Sequence, residues 1–293
     1  MMEQKVMIAL IGEQPIPNLL PVRYEKPDRV ALVYTNKTEK GFERLKNLLG
    51  DDYVDPLKIK SPYDIFEIKQ DLANFINENR FKSSDIIFNL TGGTKPMAFA
   101  SYHMAEDLSC PFIYLQSEGG KSIIFRYEFL EGRIQLISKD SIPNLLIIDD
   151  YLKAYLNSYS RTSNDNPFEG LVYDALCNSV DECVRSITHG NLEIDLVMRC
   201  GNQVGIAEVK SGKKALKKEG IDQLNTAAEQ RYLGTYTRKF LILDREIGSE
   251  NRELAEAHRI RIIELKSGEK CALSQEDQNK LIKVIRKDLG AIV

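Results

Sequence analysis

Four short stretches in the first half of the chain are apolar on both of their alternating faces: KVMIALIG (5–12), RVALVY (29–34), DIIFNL (85–90) and PFIYLQ (111–116). A strand that buries both faces belongs inside a sheet covered on each side, which is the setting of a parallel sheet. The intervening segments 37–49, 63–79 and 96–108 repeat apolar residues at helical spacing, with Ile65, Ile68, Leu72, Phe75 and Ile76 forming one stripe. Strand alternating with helix predicts a doubly wound α/β domain. SIIFRYEF and RIQLI then read as a hairpin added at its edge.

A length of 293 residues fits two ordinary domains. The composition turns polar at NSYSRTSNDN (157–166), which marks the seam. The expected division is a first domain over 1–145, a linker over 146–164 and a second domain over 165–293. The second half predicts helix 167–179, strands near 183–188, 192–199 and 203–210, helix 219–232, strand 239–243, helix 250–258, strand 259–265 and a closing helix 275–289. That is a second α/β domain of mixed topology.

With 43% hydrophobic and 28% charged residues the chain is globular. A net charge of −3 predicts no general attraction to nucleic acid, so any such binding needs a local patch. The five cysteines form no CxxC and suggest free thiols in a reducing cytoplasm, and the three histidines lie too far apart for a zinc site. No apolar run approaches the roughly 20 residues of a membrane span. The first residues run directly into a strand pattern, so no signal peptide and a cytoplasmic location are expected.

In LEIDLVMRCGNQVGIAEVKSG (192–212), Gly201-Asn202 between two strand patterns signals a two-residue hairpin. Cys200 then faces Gln203, and counting back along both strands sets Asp195 opposite Glu208, with Cβ atoms about 4.5–5.5 Å apart. On the other face Ile194, Leu196 and Met198 meet Val209, Ala207 and Gly205, a consistent apolar surface. Two facing carboxylates repel unless a cation or a proton lies between them. Oxygen donors alone favour Mg²⁺ or Mn²⁺. Lys210 emerges on the same face as Glu208 and could orient a water for attack on phosphorus. The plainer alternative is a surface ion pair of Asp195 or Glu208 with Lys210 or Arg199.

Upstream, NPFEG opens a helix with Asn166 at the N-cap, Pro167 next and Glu169 at the third helical position. Glu169 could close a capping box or stand beside the metal. Downstream, Gln223 could touch substrate or face solvent. KSGKKALKK (210–218) sets five lysines in nine residues, either a solvated face or a patch for a polyanion. The order Glu169, Asp195, Glu208, Lys210 over 165–265 resembles the PD-(D/E)xK restriction-endonuclease-like nucleases.

Within DIIFNLTGGTKPM (85–97) an apolar strand stops at two glycines. This is neither a Walker A loop nor GxGxxG. Gly92 and Gly93 expose consecutive N–H groups, a helix N-terminus points to the same place, Lys95 adds a charge and Thr94 a hydroxyl. Those groups suit a phosphate-bearing ligand, although a tight turn with no ligand needs the glycines too. LTGGTKPMA together with LIGEQPIPNLLP resembles the CARF domain, and in particular the CARF–nuclease fusions that act as ancillary effectors of type III CRISPR defence.

That resemblance implies a Rossmann-like sensor that binds a cyclic oligoadenylate, the tetra-adenylate or hexa-adenylate, across a homodimer interface. Gly92, Gly93, Thr94 and Lys95 would contact the ring, joined by Gln14, Asn18 and Gln116. It also implies a nuclease in which Asp195, Glu208 and the Val209 carbonyl hold Mn²⁺ or Mg²⁺ while Glu169 and Lys210 assist. The expected substrate is single-stranded DNA or RNA, with nicking of supercoiled DNA open. Two other readings stand beside it: a ligand-regulated module that grips nucleic acid with little catalysis, and a constitutive repair or restriction nuclease.

Overall fold

All four apolar runs of the first half lie side by side in one sheet. The structure, a computed structural model, describes residues 4–118, 120–162, 166–229, 232–234, 236–266 and 272–290. The chain divides into two units, Met1–Glu118 with Ser122–Leu145 and Gly119–Lys121 with Leu146–Val293.

The first unit runs β1 (Val6–Leu10), α1 (Ile16–Glu25), β2 (Arg29–Tyr34), α2 (Glu39–Leu49), β3 (Val54–Lys58), α3 (Ile65–Glu78), β4 (Ile86–Asn89), α4 (Lys95–Leu108), β5 (Phe112–Glu118), β6 (Lys121–Leu130) and β7 (Arg133–Ser141). The seven strands lie in the order β3-β2-β1-β4-β5-β6-β7. Neighbours from β3 to β5 are parallel, and β6 with β7 is the antiparallel hairpin expected at the edge. Ile8, Leu10, Ala31, Val33 and Phe88 bury one sheet face against Ile68 and Leu72 of α3 and Met97 and Met104 of α4. The order in which successive parallel strands are laid down reverses between β1 and β4, so the loops leaving these strands flank a switch point, where α/β sheets bind ligands.

Two elements of this unit were not foreseen. β3 is an edge strand carrying Pro56, which weakens any strand pattern. α1 contains Pro17 and Pro21. Pro21 has no N–H for the carbonyl of Pro17 one turn earlier; the Asn89 side chain supplies that hydrogen bond at 3.2 Å. The helix survives its proline because β4 satisfies the orphaned acceptor.

The second unit runs α5 (Ile148–Leu156), β8 (Ser160–Arg161), α6 (Pro167–Cys177), β9 (Glu182–His189), β10 (Leu192–Cys200), β11 (Gln203–Lys210), α7 (Glu219–Ala227), β12 (Arg238–Leu243), α8 (Ser249–Ala257), β13 (Ile260–Glu264) and α9 (Gln275–Asp288). Its sheet order is β13-β12-β11-β10-β9-β8, antiparallel from β8 to β11 and parallel from β11 to β13. Phe168, Val172 and Leu176 of α6 and Leu281 and Ile285 of α9 cover Leu196, Met198, Ala207 and Val209.

The expected linker 146–164 is a helix and a short strand on this second sheet, and both belong to the second unit. Its polarity reflects an edge strand, whose residues face water, rather than an extended connector; residues 163–165 lie outside the described set. Helix α7 ends at Ala227, short of the expected 232. Among the described residues no helix is long and apolar enough to cross a membrane.

Candidate functional site

Two separate constellations stand out, one in each unit. In the second unit Gly201, with φ +60°, makes the tight turn between β10 and β11. Asp181 accepts from the Gly201 N–H at 2.7 Å, and Arg199 donates to the Gly201 carbonyl at 2.7 Å. The ladder runs from Cys200–Gln203 to Leu196–Ala207, in the expected register.

One step beyond the last pair the acids meet. Asp195 Oδ2 accepts from the Val209 N–H at 2.7 Å and from Lys210 Nζ at 3.3 Å. Glu208 Oε2 accepts from Lys210 Nζ at 2.6 Å. The ion pair with Lys210 is therefore real, whereas Arg199 pairs with Asp181 and Glu182 near the turn.

Glu169 comes to the same place from α6. Asn166 caps that helix by accepting from the Phe168 N–H at 3.1 Å, and the Glu169 carboxylate receives the Ser186 hydroxyl at 3.4 Å. Ser186 adopts a left-handed φ of +57° within β9, and no feature of its sequence announces that role.

Both Glu169 and Glu208 are only 1% exposed. Burial first, and then the Asp195 charge, push Glu169 up to about 7. The same two causes raise Glu208 well above the ordinary carboxylate range. Burial alone would lower Lys210, but Glu208 and Asp195 more than offset it and its ammonium is held charged. Three carboxyl groups thus meet one ammonium, with the Arg185 guanidinium also acting on Glu169, and the acids still outnumber the cations.

A divalent cation fits that shortage. The donors are all oxygen, as Mg²⁺ and Mn²⁺ prefer. In a strand the N–H and C=O of one residue point the same way, so the Val209 carbonyl lies on the Asp195 side of β11 with its N–H. Among the described residues no group of three His, Cys, Asp or Glu side chains already stands in an ion-holding arrangement. Lys210 bridges the two carboxylates, so an arriving cation competes with its ammonium for the same oxygens.

Gln223 lines a cleft of about 300 Å³ with Asn191, Leu192, Glu193, Asp222 and Thr226. The lysine run forms a 3₁₀ turn, Gly212–Leu216, in which Lys213 and Lys214 are exposed. Asp244, which the sequence reading passed over, holds this turn by accepting from the Gly212 N–H at 2.8 Å.

In the first unit the glycines bring two loops into backbone contact. A Cβ on Gly92 would lie 1.9 Å from the Leu10 carbonyl oxygen, so no side chain fits there. Gly93 has φ +72°, and a Cβ on Gly12 would come within 3.2 Å of the Gly93 nitrogen. Thr94 caps α4, accepting from the Met97 N–H at 3.3 Å and donating to the Pro62 carbonyl at 2.7 Å. Its proton therefore serves the fold. Lys95 is exposed at the first position of the helix.

Asn18 lies against this loop, its Nδ2 3.2 Å from where a Gly92 Cβ would sit. It is fully buried, and neither amide atom has a hydrogen-bond partner. An unsatisfied buried amide costs about 1–3 kcal/mol. Gln14 is half-buried in the loop after β1, and Gln116 is half-buried on β5, donating to the Ser117 carbonyl at 3.2 Å.

Asn89 and Thr91 form the frame that sequence reasoning missed. Asn89 Oδ1 accepts from the Thr91 N–H at 3.1 Å and the Thr91 hydroxyl at 2.7 Å, and Thr91 Oγ1 accepts from the Leu115 N–H at 2.8 Å. Their only sequence signal is two short polar residues flanking the end of a buried strand.

Similar folds exist among solved structures. Can2 from Sulfobacillus thermosulfidooxidans, solved in complex with cyclic tetra-adenylate, superposes with a TM-score of 0.70 at 14% identity, covering 97% of each chain. Protein VC1899 from Vibrio cholerae gives 0.73 at 10% identity, covering 98% of this chain and 99% of that one. A type III CRISPR defence DNA nuclease activated by cyclic oligoadenylate gives 0.61 at 14% identity, covering 85% of this chain and 46% of its own. At these identities the likeness is one of fold, and it agrees with the α/β architecture expected for both units. No curated protein matches the sequence. A family model does match: residues 6–128 fit that of the Card1 CARF domain.

Proposed function

We propose that the chain is a metal-dependent nuclease switched on by a cyclic oligoadenylate. The observation that carries the reading is the buried meeting of Asp195, Glu208 and Glu169 around Lys210. The match of residues 6–128 to a CARF domain, and the fold shared with a cyclic tetra-adenylate-bound protein, support the ring as activator.

In the second unit Asp195, Glu208 and the Val209 carbonyl would hold Mg²⁺ or Mn²⁺. The bound ion would supply Lewis-acid chemistry, neutralising phosphate charge and acidifying water. Lys210, kept charged by its neighbours, orients the attacking water and stabilises charge on the phosphate oxygens. Glu169, raised to about 7, can accept a proton at neutral pH. Lys213 and Lys214 offer phosphate contacts to a single strand of DNA or RNA.

In the first unit the Gly92 and Gly93 N–H groups and Lys95 take ring phosphates, and Asn18, covered in the free fold, gains from the ligand the partners it lacks when the glycine loop shifts to uncover it. Gln14 and Gln116 are proposed as outer contacts. A ring of two-fold symmetry suits a homodimer that presents this loop twice. Activation is then a population shift, because the ring must bind the cutting-competent state more tightly.

Labelled single-stranded DNA and RNA, incubated with Mn²⁺ and with or without cyclic tetra-adenylate, test the whole reading. Cleavage is expected only with both, and chelator abolishes it. Retention of the strand without cleavage would favour a gripping module, a reading in which Lys210 simply neutralises both acids. Full-rate cleavage without the ring would make the protein a constitutive nuclease.

A further inference from the structure

Tyr63 is 73% exposed, although large aromatic side chains are ordinarily well covered. It stands just before α3, and α3 and α4 both follow parallel strands, so their N-termini lie at the carboxyl edge of the sheet beside the glycine loop. The preceding residue is fixed to that loop: the Pro62 carbonyl accepts the Thr94 hydroxyl at 2.7 Å. On its other side stands Lys37, whose ammonium is held charged chiefly by Glu13 and, to a lesser degree, by the Tyr63 phenol. Lys37 pairs with Glu13 at 2.5 Å, and Glu13 adjoins Gln14 in the loop after β1. Tyr63 is thus an exposed ring whose backbone is fastened to one ligand loop and whose tip neighbours another.

An exposed aromatic side chain whose neighbouring backbone is fastened to a phosphate-binding loop can offer its face to a nucleobase. We propose that Tyr63 is a base-stacking platform that receives an adenine of the cyclic nucleotide while the glycine loop takes its phosphates. The Lys37–Glu13 pair beside the ring favours this occupant over an apolar protein face, since burying that charge pair under a second copy of the chain would be costly. A base presents polar edges that leave the pair solvated. The inference rests on the proposed sensor role and adds to it a contact that makes affinity depend on the base.

Calorimetry with cyclic tetra-adenylate tests it on the full chain, with sedimentation recording oligomeric state. Tyr63→Ala is expected to weaken ring binding about tenfold or more, and Tyr63→Phe to stay within about twofold of wild type. Phe66→Ala, which removes an aromatic side chain 69% exposed at the second position of α3, is expected to leave affinity unchanged. Unchanged affinity in Tyr63→Ala overturns the stacking and leaves the sensor intact. Weakened binding that tracks with loss of self-association overturns it as well, and makes Tyr63 a subunit contact. A wild-type chain that binds no ring removes the sensor reading and this inference together.

Discussion

Lys210 Nζ and Glu208 Oε2 lie 2.6 Å apart on a single strand, two residues from one another, with both side chains turned to the same face. Glu208 is almost wholly buried, and burial with the Asp195 charge raises it well above the ordinary carboxylate range; the Lys210 contact opposes that shift without cancelling it. The pair is both the stabilising feature of the acid cluster and the means by which a cation can displace an ammonium.

Glu208→Ala is expected to lower cleavage by at least 10²-fold, as for loss of a key electrostatic group. Ring affinity should remain as in wild type, because the glycine loop belongs to the other unit. Cleavage assays and calorimetry on the same preparation check this. Full cutting activity in the variant would remove the site.

The metal-free protein is expected to lose stability as pH rises from about 4.5 to about 7. Glu169 binds its proton more tightly folded than unfolded, so across that window the folded state holds a proton that the unfolded state has released. The stabilisation is full below the lower value and is gone above the upper one. Its size is about 3 kcal/mol, and Glu208 acts in the same direction. Urea midpoints at pH 5 and pH 8 in chelator measure the effect, and Glu169→Gln should flatten it. A wild-type slope retained by that variant would show that Glu169 is not its source.

Asn18→Leu is expected to stabilise the protein by about 1–3 kcal/mol while abolishing ring binding. The substitution removes two buried polar atoms that have no partner in the fold. Chemical denaturation and ring titration should therefore move in opposite directions. A variant less stable than wild type would mean that the amide is satisfied in the free protein.

Gly92→Ala is expected to cost about 3 kcal/mol or more in stability and to lose the ring site. Its Cβ would fall 1.9 Å from the Leu10 carbonyl oxygen, so backbone must move, as in severe overpacking. Thermal unfolding reads the loss. Wild-type stability in this variant would mean that the two loops are not in contact.

Element type was largely legible in the chain, because buried parallel strands and amphipathic helices leave local patterns that periodicity detects. The hairpin register was legible for the same reason: Gly201-Asn202 fixed the turn, and side-chain alternation carried Asp195 to Glu208. α1 was hidden because its prolines argue against helix locally, and only the Asn89 amide, far along the chain, makes Pro21 tolerable. The 146–164 segment was hidden because an edge strand is as polar as a linker.

The sequence by itself therefore determined which residue types were available and which of them share a strand face, since both follow from nearest-neighbour geometry. Tertiary structure alone decided that Glu169 joins the acids, that Asn18 is buried with no partner and that Thr94 spends its proton on Pro62. Burial and charge proximity between distant segments exist only once the chain has closed, and they set both the protonation of the acids and the unmet bonding beside the glycine loop.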